Sequence, residues 1–322
     1  MTTVHPDLEW LVGQTTIAPN GRTARVGGHD LTAETSQGLV SRISTHLYTE
    51  WHAGIVRKDS TPSMPGLTRD LQFEERLTQV TPHTNREVEV RVLETVDRGE
   101  GRRNGIVFLH NGIRLYADRE FELSASGDRA RVRVPSLAPN LTPGFLFYTS
   151  RNGTGHANRP LRLYVHLTNG DAAVDAWQRC LTWAEDRGLP FRAKVLSRAD
   201  SFPRRDALVL YAPTQMWNRL GDLARHLRAP ASFASTSSVF ATRIEHGVSA
   251  AWEPMDARRS AGQTSFGEHR SQAVARSLVA NRHLTGEALS SRLAADLMAA
   301  NIDPAHPHRN LDSPLLLQGC GI

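Results

Sequence analysis

Three short segments constrain the fold most: 161–167 (LRLYVHL), 190–197 (PFRAKVLS) and 206–212 (DALVLYA). Each is short, and together they are rich in Val, Leu, Phe and Tyr, which marks strands. Between the first two, Ala172, Ala173, Ala176, Trp177, Cys180, Leu181 and Ala184 recur at helical spacing and predict a helix over 171–187. A sheet with a helix laid on it is the implied core. Further helices are expected over 215–227, from 265 into Asn281, and over 286–300. Upstream, Leu39, Val40, Ile43, Leu47 and Trp51 predict a helix over 33–51 that Gly54 ends, and a short one covers 70–79. Val88, Val90 and Val92 alternate with polar residues, 105–117 reads as a hairpin about Asn111-Gly112, and 130–135 and 144–150 continue as strands. Residues 1–33, 58–69 and 231–262 read as loosely organised. The fold class is α+β. An N-terminal helical and β-hairpin region (1–150), suited to binding a peptide or partner, precedes a mixed α/β core (151–322) with a central antiparallel-rich sheet and C-terminal helices.

Composition excludes several chemistries. Two cysteines, Cys180 and Cys320, cannot build a disulfide framework, a zinc ribbon or an iron–sulfur site, and a reducing cytoplasm is expected. No apolar run reaches the roughly 20 residues of a membrane span. P-loop, G-x-S-x-G, H-E-x-x-H and dinucleotide motifs are all missing, and the 14 His are scattered, so neither cofactor nor metal is expected. A net charge of +5 spread along 322 residues lacks the concentrated stripe of a nucleic-acid surface. It suits a pocket for one anionic group better.

Of 38 Lys and Arg residues only Lys58 and Lys194 are Lys. Arg is a permanent cation, so an amine able to act as a base exists at those two side chains alone. Lys58 lies in a loop beside Asp59 and is expected in water. Lys194 sits mid-strand with Arg192 two residues away on the same face, where neighbouring charge and partial burial disfavour the charged amine. On strand 161–167, Arg162, Tyr164 and His166 share one face, either open to water or lining a cleft. Arg204, Arg205 and Asp206 stand at a strand start suited to a cleft rim. Arg270 falls in the first turn of the helix opened by Ser265-Phe266-Gly267. Helix N-termini favour anions, so an Arg there hints at an anionic partner; an ordinary ion pair with Glu268 or Asp206 is the plainer alternative.

The order LRLYVHL, PFRAKVLSRADSFPRRDALVLY, SFGEHR, NIDPAHPHRN resembles the HopA-type effector family over roughly 150–310, with a weaker match at LYTEWHAG (47–54). That family is related to phosphothreonine lyases and supplies the stand-alone lyase of class V lanthipeptide biosynthesis. The resemblance makes 151–322 a lyase-like catalytic region. It implies β-elimination of phosphate from phosphoserine or phosphothreonine, giving dehydroalanine or dehydrobutyrine. On the matching positions, Lys194 is the base, Tyr164 or His166 the acid, and Arg162, Arg204 and Arg270 the phosphate ligands. Arg192, Arg205, Ser265 and His269 are further candidates. Arg162 and Tyr164 stand where such lyases carry a Lys-x-His pair, and Glu253-Pro254 fits the family's acidic-Pro step.

The implied partners are a phosphorylated ribosomal precursor peptide and a separate Ser/Thr peptide kinase, with a cyclase as an optional companion, and no nucleic acid and no membrane. Two rivals stand beside this reading: a non-catalytic scaffold binding a leader peptide or kinase, and a secreted type III effector. A phosphatase is disfavoured because no Cys-x5-Arg, paired-Asp or metal site is present.

Overall fold

The computed structural model describes residues 3–55, 69–97, 104–110, 113–154, 160–228, 236–257 and 264–314. The chain begins with α1 (Pro6–Gly13) and a small antiparallel sheet of β1 (Thr15–Ile17), β2 (Thr23–Val26) and β3 (His29–Thr32). Helix α2 (Ser36–His46) starts where Thr35 accepts from the Gly38 amide at 3.0 Å. It runs into a π-helical turn, Leu47–Ala53, which Gly54 closes at φ 64°. After α3 (Leu71–Gln79) come β4 (Asn85–Val96), β5 (Gly105–His110), β6 (Ile113–Asp118), β7 (Glu122–Ser126) and β8 (Arg129–Pro135), a five-stranded sheet in the order β6-β5-β4-β8-β7.

The second half holds β9 (Leu137–Pro139), β10 (Phe145–Thr149), β11 (Leu161–Leu167), α4 (Gly170–Glu185), β12 (Arg192–Leu196), β13 (Arg204–Ala212), α5 (Trp217–Leu227), β14 (Thr242–Glu245), β15 (Val248–Trp252), α6 (Phe266–Ala280) and α7 (Gly286–Ala299). Its strands form one antiparallel sheet in the order β14-β15-β11-β13-β12-β10-β9. The molecule is α+β, with helices at both ends of the chain.

Strand β11 is buried along its whole length, and that fact positions the site. Leu161, Leu163, Val165 and Leu167 pack toward α4 and α5, against Trp177, Leu181, Leu220 and Leu223. On the other face Tyr164 and Val209 enter a second core made with α1, α2, α6 and α7. The central sheet therefore lies between two helical layers. Removing one such leucine, Leu163→Ala, would cost about 2–5 kcal/mol, transfer and cavity terms together.

Several expectations change. Neither alternative for the face of Arg162, Tyr164 and His166 holds, since helices cover it. Residues 3–33 are ordered: Leu8, Leu11, Val12 and Val26 are buried in the second core, too few per element to show as a period. The Ser-rich stretch 231–262 contains the β14–β15 hairpin, which pairs with β11. Strands β9 and β10 precede residue 150 yet belong to the same sheet as β11, so that sheet crosses the expected boundary. The helix over 33–51 changes winding at Leu47. Lys58 and the Asn111-Gly112 turn lie outside the described residues.

Candidate functional site

The site grows from cross-strand register. Lys194 on β12 pairs with Phe147 on β10 and Val209 on β13, and Val209 in turn pairs with Tyr164 on β11. Directly paired residues share a face, so Phe147, Lys194, Val209 and Tyr164 form one row across the sheet. Arg192, two residues from Lys194, keeps to the same side. Lys194 Nζ lies 4.2 Å from the centre of the Phe145 ring and 5.9 Å from that of Phe147. Arg192 Cζ lies 5.5 Å from Phe147, and Arg204 Cζ 5.6 Å from Phe145. Cation and ring alternate: Arg192, Phe147, Lys194, Phe145, Arg204. Among the described residues Lys194 and Arg192 have no hydrogen bond and no carboxylate partner. Their half-buried positions make them a concentrated positive patch with aromatic backing, and the Asp206 carboxylate lies near enough to feel the Lys194 charge.

Arg204 differs because it is matched. Its Nε and Nη2 each donate to Asp206 at 2.8 Å, and Nη2 donates to the Tyr48 hydroxyl at 3.2 Å. Tyr48 donates onward to Asp206 at 3.4 Å. The β11–β13 register jumps from Val165↔Leu208 to Leu167↔Arg204, leaving extra residues on β13 that turn Asp206 toward the π-helical turn. Burial opposes ionisation of Asp206, but the Arg204 guanidinium outweighs it and holds the carboxyl well below the usual carboxylate range. Burial, with the Asp206 charge, raises the Tyr48 phenol. The Nη1 of Arg204 has no partner among the described residues, so this edge of the ion pair can receive an anion.

His52 forms the roof. Its Nδ1 is 2.8 Å from Ser238 Oγ, and its ring meets Tyr164 edge-on at 5.4 Å and Phe266 at 5.8 Å. Burial pushes its pKa down to about 4, so the ring is neutral at pH 7. Gly267 makes room for it: a Cβ there would stand 2.1 Å from His52 Cδ2. Between α2 and α6 a cleft of about 380 Å3, lined by Gln37, Ser41, Ser44, Thr45 and Gln272, ends at Tyr48.

The expected site residues divide accordingly. Lys194, Arg192, Arg204 and Tyr164 come together on one face. Tyr164 is 2% exposed, and its hydroxyl lacks a hydrogen-bond partner among the described residues. His166 points Nδ1 at the Thr236 carbonyl, 2.7 Å away, which assigns the proton to Nδ1 and leaves Nε2 an acceptor. Burial lowers its protonation further, so His166 is not arranged as an acid. Arg162 is buried and bound by Nε and Nη2 to Glu253, which gives the acidic-Pro step a structural role.

Four further candidates are held by structural partners. Arg270, expected to bind phosphate, donates to the Pro307 and Arg309 carbonyls, to Asn310 Oδ1 and to His269 Nδ1, tying the C-terminal segment to α6. Ser265 caps α6 in a reciprocal box with Glu268, and His269 pairs with Asp256 at 2.9 Å. Arg205 donates to the carbonyls of Glu50 and Trp51, satisfying the end of the π-helical turn. Phe145, Phe147, Tyr48 and His52 were not legible as site residues; the motif LYTEWHAG carried the one signal for the last two. No group of three or more His, Cys, Asp or Glu able to hold a metal occurs among the described residues.

Comparison with known proteins places this geometry in context. The model of the HopA1 effector protein family matches residues 136–309, a little over half of the chain. Two solved effector proteins from Pseudomonas syringae, from pv. tomato strain DC3000 and pv. syringae strain 61, are similar at 14% identity and a TM-score of 0.46. Each alignment covers 84% of this chain, and 98% and 99% of the effectors respectively. A search of curated proteins gave no match.

Proposed function

Given that the chain belongs to the HopA1 effector protein family, we propose that it is a carbon–oxygen lyase that eliminates phosphate from phosphoserine or phosphothreonine in a peptide. The products are dehydroalanine or dehydrobutyrine and inorganic phosphate. The substrate in this reading is a ribosomal precursor peptide phosphorylated by a separate kinase. One observation carries the reading: Lys194, an amine with no hydrogen bond or ion pair among the described residues, stands between two arginines over Phe145 and Phe147.

Elimination needs a base, a sink for phosphate charge and a proton for the bridging oxygen. Lys194 Nζ, in its neutral form, takes the Cα proton, and the C–H pair becomes the Cα=Cβ bond as Cβ–O breaks. Phosphate leaves with the C–O electrons, and the free Nη1 edge of Arg204 meets charge that grows as the bond opens. Tyr164 donates the proton. It lies in the same cross-strand row as Lys194, two strands away, so the two Cα atoms are about 10 Å apart with Val209 between them. Val209 and Tyr164 are closed off by the helices packed on them, so in this reading those helices must part to admit the phosphorylated side chain.

The test is a phosphothreonine peptide incubated with wild type and with Lys194→Arg, followed by phosphate release and peptide mass. Wild type should yield a peptide lighter by phosphoric acid that adds thiols; Lys194→Arg should bind the peptide and leave it intact. Recovery of unmodified Thr would mean hydrolysis, and near-normal elimination by Lys194→Arg would favour a scaffold; either refutes the proposal.

The family's description as effector proteins favours a second reading; in it we take the protein to be secreted and to act on signalling proteins of another cell. Binding of such proteins unchanged by Lys194→Arg, with no phosphate released, would select it.

A further inference from the structure

Beside the Lys194–Arg204 pair lies a second concentration of positive charge. The backbone leads from β12 to the five-stranded sheet in three steps. Arg192 pairs with Thr149, the Thr149 amide donates to Ser136 O at 2.9 Å, and the Ser136 amide donates to Thr84 O at 2.8 Å. Arg86 follows two residues later on β4, paired with Val134. Burial disfavours the charge of its guanidinium, and the Arg192 charge adds to that. Arg86 Nη2 lies 3.3 Å from His110 Nε2, and its Nε is buried without any hydrogen-bond partner among the described residues. Neither arginine has a carboxylate partner there.

Two like charges at the junction of two sheets, one with a buried and unsatisfied donor, are costly unless an anion joins them. We propose that Arg86 and Arg192 form a subsite for an acidic side chain, Asp or Glu, of the same peptide whose phosphorylated residue faces Lys194. The inference rests on the phosphopeptide reading above and adds a substrate class to it: acidic phosphopeptides. Spacing sets the position. Arg192 and Lys194 are two residues apart on one strand face, about 7 Å, and an extended peptide presents every second side chain at the same interval. The carboxylate therefore belongs two residues from the phosphorylated one.

Two eleven-residue fluorescent peptides test it, each with one central phosphothreonine and Gly/Ser/Gln flanks, differing in Asp or Asn two positions to either side. Anisotropy reads binding without turnover, and phosphate release from the same mixtures reads the lyase separately. Wild type should bind the Asp peptide about tenfold more tightly, the effect of one charge-assisted pair at a partly open site. Arg86→Gln should shrink that ratio without weakening the Asn peptide; Arg192→Gln, which also borders Lys194, should weaken both peptides but the Asp peptide more, and Arg192→Lys should keep part of the ratio. Equal binding of both peptides by wild type, or a ratio that survives in both glutamine variants, overturns the inference. Inorganic phosphate bound by wild type and lost in Arg86→Gln, with no Asp preference, would assign the pair to a free anion and overturn it too. Asp preference without phosphate release would leave the subsite standing and remove the lyase.

Discussion

Gly267→Ala sets two opposed effects against each other at the roof of the site. Alanine is the better helix former by up to about 1 kcal/mol, and Gly267 lies in the first turn of α6. Its new methyl would stand 2.1 Å from His52 Cδ2, 2.6 Å from Cγ and 2.7 Å from Nε2. Carbon pairs rest at about 3.5–4.0 Å, so ring or helix must move by roughly 1.5 Å. The ring has little freedom, being held at 2.8 Å by Ser238 and flanked by Tyr48, Tyr164 and Phe266. Overpacking of this kind costs about 1–3 kcal/mol and exceeds the helical gain, so the variant is expected to be destabilised. Thermal unfolding should show a Tm lower by a few degrees, at about 2–4 °C per kcal/mol. The cause is tested in a His52→Ala background. There the clash is gone, and Gly267→Ala should be neutral or stabilise by up to about 1 kcal/mol, a coupling of at least about 1 kcal/mol between the sites. A raised Tm in the wild-type background, or the same loss in both backgrounds, would refute the steric argument.

Asp206→Asn should lower stability by about 3–5 kcal/mol in denaturant titrations, because it leaves Arg204 buried without its counter-charge. The folded pKa of Asp206 lies below its unfolded value. Its contribution is therefore present above the ordinary carboxylate range and lost as pH falls below it, and Asp206→Asn should flatten that acid limb. His52 is shifted in the same direction: with a folded pKa near 4 against an ordinary 6.5, the unfolded chain again binds the proton first. Stability should fall between about pH 6.5 and 4, by up to about 3 kcal/mol from this group, and His52→Leu should remove that part of the loss in Tm measured across pH. Glu253→Gln should destabilise the protein by weakening the buried Arg162 pair, while Lys194→Arg should leave Tm within about 1 °C, since Lys194 has no polar partner to lose.

Strands β11, β12 and β13 and helices α4 to α7 were legible within one or two residues, because alternation and 3.6-residue spacing are local signals. The elements missed, α1, β1–β3, β7, β9 and the β14–β15 hairpin, are short, and α1 and the β14–β15 hairpin take their order from packing onto distant partners. Tyr48 sat inside, and His52 just past, the helix expected over 33–51, but a π-helical turn changes which side chains share a face, and periodicity does not show it.

The residue type at the centre of the site was set by sequence alone: one of two amines in a chain of arginines, on a strand face shared with Arg192. Chemistry of that kind is a property of the side chain and its immediate neighbours. Which cations stay available was decided only by tertiary structure. Arg270 looked like an anion ligand at a helix start, yet carbonyls some forty residues away take its donors. Arg162 is taken by Glu253, ninety-one residues distant. Lys194 and Arg192 meet Phe145 and Phe147, brought alongside by β10 from the other side of the expected boundary. An arginine is spoken for or free according to which acceptors folding brings within about 3 Å of it, and strand register fixes that distance where local spacing cannot.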